Sequence, residues 1–298
     1  MPLKLTSKLK EPKDPKTPRT SSRLASYKLK KKIGSATHLT LSALLPIIVY
    51  VLIAVLKLPI VALALVLASK WQTFVVKPRF LWTNIKLNAV DLIFKLSIMS
   101  LLTLLTYKIS LTSGSIKLSL HLFQIALTAA YFVWNSFIKK LSSESGMLLQ
   151  ALITQFLSLS AIFWLMGFST INLQPILTLP LSFIASYACA QHALYAYEES
   201  SIKQLAAFWA IFITYLTFIF GFWAHHITLL SGAVYIPLPA ILSVPFGLLA
   251  SRLHLLIEDS QTEGVKKSDL LKKQASLTNY TAAAIAMSFL IAIFILIR

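Results

Sequence analysis

AAFWAIFITYLTFIFGFW, residues 206–223, carries no charged side chain, no proline and no alternation of apolar with polar positions. A helix of that length crosses a hydrocarbon core of ~30 Å. A membrane β-strand would instead alternate sides over ~10 residues. The stretch therefore reads as a transmembrane helix, and AAAIAMSFLIAIFILI, residues 282–297, reads the same way. Working outward from these two runs, seven full spans are expected at about 89–107, 119–138, 146–168, 175–196, 205–224, 233–251 and 279–297. The 298-residue chain is 57% hydrophobic and only 13% charged, against about 25% charged in soluble domains. The fold class expected is all-α: a polytopic transmembrane helical bundle of about seven full spans plus an N-terminal short hairpin or re-entrant pair.

Residues 1–37 differ in kind. Eleven Lys/Arg, among them Lys28, Lys30, Lys31 and Lys32, face only Glu11 and Asp14, and four prolines interrupt the first half. Self-repulsion and scarce apolar side chains predict a disordered basic tail. The transmembrane domain then covers 38–298. Its first apolar block, 39–69, is interrupted by Lys57-Leu58-Pro59. A single span would leave the tail and the next basic loop on opposite sides, so the positive-inside rule favours a chain that doubles back. Residues 70–88 hold Lys70, Trp71, Lys77 and Arg79 around Pro78. Aromatic rings with a cationic fringe suit the headgroup layer, and the segment is expected to be interfacial. Threading the spans from there puts 23 Lys/Arg on the cytoplasmic side and four outside, with Lys95 inside a span. The tail is accordingly expected in the cytoplasm of a cell with an inner, plasma membrane. Its expected partners are the lipid bilayer and anionic headgroups, at roughly 1 kcal/mol per basic residue. Membrane-protein partners are also compatible with such a tail. No nucleic-acid reader motif is present, and no nucleic-acid partner is expected. Neither a cleavable signal peptide nor an inverted repeat is evident.

Ionisable residues inside spans are costly and mark candidates for function. Asp91 and Lys95, at i and i+4, share a helix face; they form either a coupling pair or a self-neutralising one with Lys95 snorkelling to the interface. His121, Gln124 and Asn135, and then Gln150, Thr154, Gln155 and Ser158, are amide- and hydroxyl-bearing positions suited to interhelical hydrogen bonds. The densest cluster runs from Tyr187 through Gln191, His192, Tyr195 and Tyr197 to Glu198 and Glu199. Asp91, Lys95, Gln191, His192 and Tyr195 form the candidate polar pathway. Pro237, Pro239 and Pro245 predict kinks in the 233–251 span, and broken helices often line cavities. The lone Cys189 excludes an intramolecular disulfide and reads as a small apolar residue. No P-loop, dinucleotide fingerprint or His-Glu-x-x-His site is present, and no cofactor or metal is expected.

Two resemblances follow from these residues. Glu198-Glu199 with Lys203, Phe222 through His226, and His254 through Glu258 resemble the three motifs of the CAAX-protease and bacteriocin-processing family. Lys203 replaces an Arg there, and Glu258 an Asn/Asp. The resemblance implies an intramembrane metalloprotease with Glu198, Glu199, His226 and His254 as catalytic residues. Against it, Glu199 and His226 flank a continuous apolar run and stand ~40 Å apart if that run is one helix. The second resemblance covers Lys70-Trp71 to Lys77-Pro78-Arg79, Asn88-Ala89-Val90-Asp91, Ala196-Tyr197-Glu198-Glu199 and the 233–251 span. These look like uncharacterised multi-pass membrane proteins of candidate-phylum bacteria with reduced genomes. It implies an inner-membrane protein and supplies no activity. Three function classes stay open: a transporter or channel-like protein for a small solute, a non-catalytic membrane scaffold or assembly factor, and the protease-like enzyme.

Overall fold

The computed structural model describes residues 36–70, 78–167, 175–194, 202–222, 227–229 and 234–261. All of them belong to one unit, which begins at Gly34. The described chain is helical apart from one small hairpin. Residues 1–35 of the basic tail, Trp71, Lys77, Tyr195, Glu198, Glu199, His226 and the expected last span, 279–297, lie outside the described residues.

Helix α1, Ala36–Tyr50, runs into a π-helical turn at Val51–Val55, and α2 spans Pro59–Ala68. The break between them falls at the Lys57-Leu58-Pro59 interruption read from sequence. Lys57 adopts a φ of 56°, a left-handed backbone that costs a non-glycine residue about 1–2 kcal/mol. Pro59 then opens α2, where its missing N–H and fixed φ do no harm. Helix α3 runs without interruption from Pro78 to Ser110, about 50 Å by the α-helical rise. The expected interfacial segment is thus continuous, from Pro78 onward, with the following span. Pro78 starts this helix, and no second boundary occurs near residue 88.

Helices α4 (Ser115–Ser136), α5 (Glu144–Gly167), α6 (Pro175–Leu194) and α7 (Ile202–Phe222) follow. Strands β1 (Ile227–Leu229) and β2 (Val234–Ile236) pair antiparallel, with Thr228 opposite Tyr235. Helix α8 is Leu238–Gln261. This corrects the expected 233–251 span: Val234–Ile236 is a strand, and the helix continues ten residues further. Pro237 precedes the helix and Pro239 sits in its first turn, where proline is tolerated. Only Pro245 lies inside it.

Among the described residues, three helical stretches are long and apolar enough to cross a membrane, Asn88–Ser110, Ser115–Lys140 and Ser145–Gly167. Shorter apolar helices lie at Ala43–Val55, Pro59–Ala68, Lys203–Ile219 and Leu238–Ser251. Helix α5 is central, packing on α3, α6 and α8. The core face of α3 repeats at spacings of four and then three through Val90, Phe94, Ile98, Leu102 and Leu105, all buried. Phe94 stacks on Trp134 at 3.9 Å between centroids and meets Tyr131 edge-on at 6.1 Å. The outward sides are also apolar: Leu118, Leu122, Ile125 and Phe132 on α4, and Phe208, Ile211, Tyr215 and Phe218 on α7, are exposed. Continuous apolar stripes of this extent are avoided on soluble monomers and match contact with lipid chains.

Candidate functional site

Two polar constellations lie among these helices. The first gathers at one end of the bundle, where the early turns of α3 meet the end of α4. Asp91 and Lys95 are paired, Nζ to Oδ2 at 3.0 Å, as their i, i+4 spacing requires. The same carboxylate oxygen also pairs with Lys70, which donates a further hydrogen bond to Asn88 Oδ1 at 3.2 Å. The Trp134 indole N–H donates to Asp91 Oδ1 at 2.8 Å, so both carboxylate oxygens are engaged. Lys139, whose ammonium reaches Asn135 Oδ1 at 3.5 Å, lies within electrostatic range of Asp91, as do Tyr131 and His192. Lys95 is only 2% exposed. It does not snorkel to an interface; it is held in place by the Asp91 carboxylate that it shares with Lys70. Lys70, read as part of a lipid-facing cationic fringe, instead crosses to Asp91.

Next to this cluster, His192 on α6 bonds Gln150 on α5, Nε2 to Oε1 at 2.7 Å. Gln150 spends its amide hydrogens on the carbonyls of Ile138 and Leu141 at 2.7 and 2.8 Å. Its oxygen can then only accept, so His192 Nε2 carries the proton. Gln191 turns elsewhere, donating to Tyr187 Oη on its own helix at 3.0 Å. The expected pathway therefore divides: Asp91, Lys95 and His192 share one region, and Gln191 is apart from them. Arg79 falls in the first turn of α3 and His254 in α8.

The second constellation is the α5–α6 seam. Gln150, Thr154 and Ser158 recur every fourth residue on α5, and Thr178, Ser182 and Ser186 do so on α6. The seam is pinned at one end by Gln150–His192 and at the other by Thr178, whose hydroxyl reaches Met166 Sδ at 3.4 Å. Elsewhere in the chain helical hydroxyls close onto the carbonyl four residues back, at Ser97, Thr106, Thr128, Ser160, Thr214 and Thr217. Thr154, Ser182 and Ser186 do not. All three are fully buried, and their hydroxyls have no hydrogen-bond partner among the described residues. Gln155, 0% exposed, likewise leaves both its amide nitrogen and its oxygen without one. It lies eleven residues before Met166, and so within about 20° of it around the helix. Its neighbour one turn back, Leu152, meets α8 at Gly247, beside the Trp209 ring. The Trp209 indole N–H is a further buried donor without a described partner.

Sequence reading found the α5 half of this seam and missed the α6 half. The signal was there, since Thr178, Ser182 and Ser186 sit at i, i+4 and i+8 in an otherwise apolar helix. Lys70 and Trp134 as partners of Asp91 carried no local signal, because those pairings join different elements. At the opposite end of the bundle, Lys108 lies 5.5 Å from the Trp164 ring centre. Trp164 also stacks on Tyr235 and donates to its carbonyl at 2.8 Å.

The protease resemblance required a broken α7. That helix is continuous from Ile202 to Phe222, and the chain between the two motif positions is accordingly long. Compared with protein-family models, with characterised proteins and with solved structures, the chain matches none.

Proposed function

We propose that this chain is an integral membrane protein that passes a small polar solute along the α5–α6 seam. The observation that carries this reading is Gln155, an amide buried in an apolar bundle with neither end satisfied. An unpartnered amide costs on the order of 1–3 kcal/mol even in a protein interior. Three unpartnered hydroxyls in one seam, with this amide beside them on α5, are hard to account for as interhelical glue, because glue needs partners, as Gln150 and His192 have. They fit a path that offers its polar groups to a passing solute or to water. The wider arrangement we propose is the one the charges support: seven spans after an N-terminal pair that doubles back, in a bacterial inner membrane. The basic tail then lies in the cytoplasm against anionic lipid.

Cys189, the only cysteine, is fully buried on α6, three residues beyond Ser186 and seven beyond Ser182. It is a natural reporter of water in the seam. Vesicles containing the full-length protein would be treated with a small, charged methanethiosulfonate, and Cys189 occupancy read by intact-protein mass. Slow but complete modification is expected, accelerated by Ser186→Gly, which widens the path. Modification by lipophilic maleimide alone, with the charged reagent inert on both proteins, would overturn the reading.

A further inference from the structure

We infer that Lys95 and Lys70 hold a phosphate-class oxyanion beside Asp91. The inference does not need the α5–α6 seam to conduct. Asp91 is one carboxylate serving two ammoniums. Its other oxygen accepts from the Trp134 indole N–H, and its single negative charge is divided between the two ammoniums. An ammonium carries three N–H donors. Among the described residues Lys95 meets one acceptor, Asp91, although it is 2% exposed. Lys70 meets two, Asp91 and Asn88. Donors and positive charge both exceed what the described acceptors supply, and they do so on adjoining side chains that share one oxygen. A single-point acceptor would satisfy one of these hydrogens, whereas a phosphate presents several oxygens and a compensating charge to both ammoniums at once.

Position narrows the source. Asp91 and Lys95 lie in the first two turns of the apolar stretch that starts at Asn88, about 5–10 Å along the helix from its edge. Lys70 is about one-fifth exposed, which leaves a way in from the end of the bundle. Phosphate oxygens reach that depth either as a phospholipid headgroup or as free phosphate.

The test uses the full-length protein purified in mild detergent. In one arm inorganic phosphate is titrated at constant ionic strength against chloride, and the thermal unfolding midpoint is followed. In the other, nanodiscs of phosphatidylglycerol or of phosphatidylcholine supply the lipid, and lipid retained on release is counted by native mass spectrometry. Saturable stabilisation by phosphate but not chloride supports the site and assigns it to the free anion. Selective retention of one or two phosphatidylglycerols supports it and assigns it to the headgroup. Lys70→Gln is the informative variant, because Asp91 then keeps Lys95 as a balanced pair and the fold should persist. It should weaken phosphate binding or lipid retention at least tenfold, and Lys95→Gln should do the same. Equal behaviour of chloride and phosphate with no lipid retained, or binding unchanged in both variants, would overturn the inference.

Discussion

Gln150 and Gln155 stand five positions apart on α5 and have opposite circumstances. Gln150 joins α6 through His192 and terminates the carbonyls of Ile138 and Leu141. Each such bond contributes about 0.5–1.5 kcal/mol net. Gln150→Leu should therefore destabilise the protein by about 2–3 kcal/mol, read as a lowered midpoint in denaturant or thermal unfolding in detergent. Gln155 gives up no described hydrogen bond when replaced. Gln155→Leu keeps most of the volume and removes a buried polar group, so it should leave stability unchanged or raise it by about 1 kcal/mol. If Gln155→Leu instead destabilises as Gln150→Leu does, then Gln155 is structural and the solute-path reading loses its main support. From sequence the two residues were equivalent members of one polar stripe. What separates them is the tertiary partner, and local spacing carries no information about that.

The elements were legible where the backbone chemistry of single residues decides them. Pro59 and Pro78 each open a helix, and the break at Lys57-Leu58 follows from an isolated charge beside a proline. The hairpin at 227–236 was not legible. Strands of three residues are too short to establish a period, and VYI reads equally well as the start of a buried helix. The strand is held by contacts made at a distance: Tyr235 stacks on Trp164 at 5.2 Å and donates its hydroxyl to the Phe163 carbonyl at 3.0 Å. The seating of α8 is equally a matter of packing. A Cβ at Gly247 would lie 2.5 Å from Leu152 Cδ2 and 2.7 Å from Trp209 Cζ2. Leu152 can rotate away, but the Trp209 ring is rigid and buried. Gly247→Val should force α8 off α5 and α7 and cost about 1–3 kcal/mol, whereas Gly114→Ser, in open space but at φ 71°, should cost only the backbone strain, about 1 kcal/mol. Unfolding midpoints of the two variants would rank them. A smaller loss at Gly247 than at Gly114 would mean that the three-helix contact is looser than these distances imply.

At the scale of the whole molecule, the helices sort basic residues by end. Asp91 near the start of α3 meets Trp134 near the end of α4, so those two helices run antiparallel. Lys108 at the end of α3 meets Trp164 at the end of α5, so those two run parallel. Lys70, Lys139 and Lys140 thus belong to one end and Lys108 and Lys117 to the other. In the proposed orientation, which follows the positive-inside rule, the first end faces the cytoplasm, and the 78–88 turns of α3, with Arg79 and Lys86, extend in that direction. Single cysteines placed in the Cys189→Ser background would test this. Ser142, between α4 and α5, is half-buried, and Ser113, between α3 and α4, is exposed. With an impermeant thiol reagent applied to intact cells, a cysteine at 113 should label and one at 142 should not; both should label once the membrane is opened. The reverse pattern would invert the proposed orientation and place the basic tail outside if the first block doubles back. Labelling of both positions in intact cells would mean that α4 does not cross at all, and the seven-span count would then fall with it. Because α4 links the charge cluster to the opposite end, its crossing is also what requires the buried Asp91–Lys95 pair to be compensated inside the membrane rather than in water.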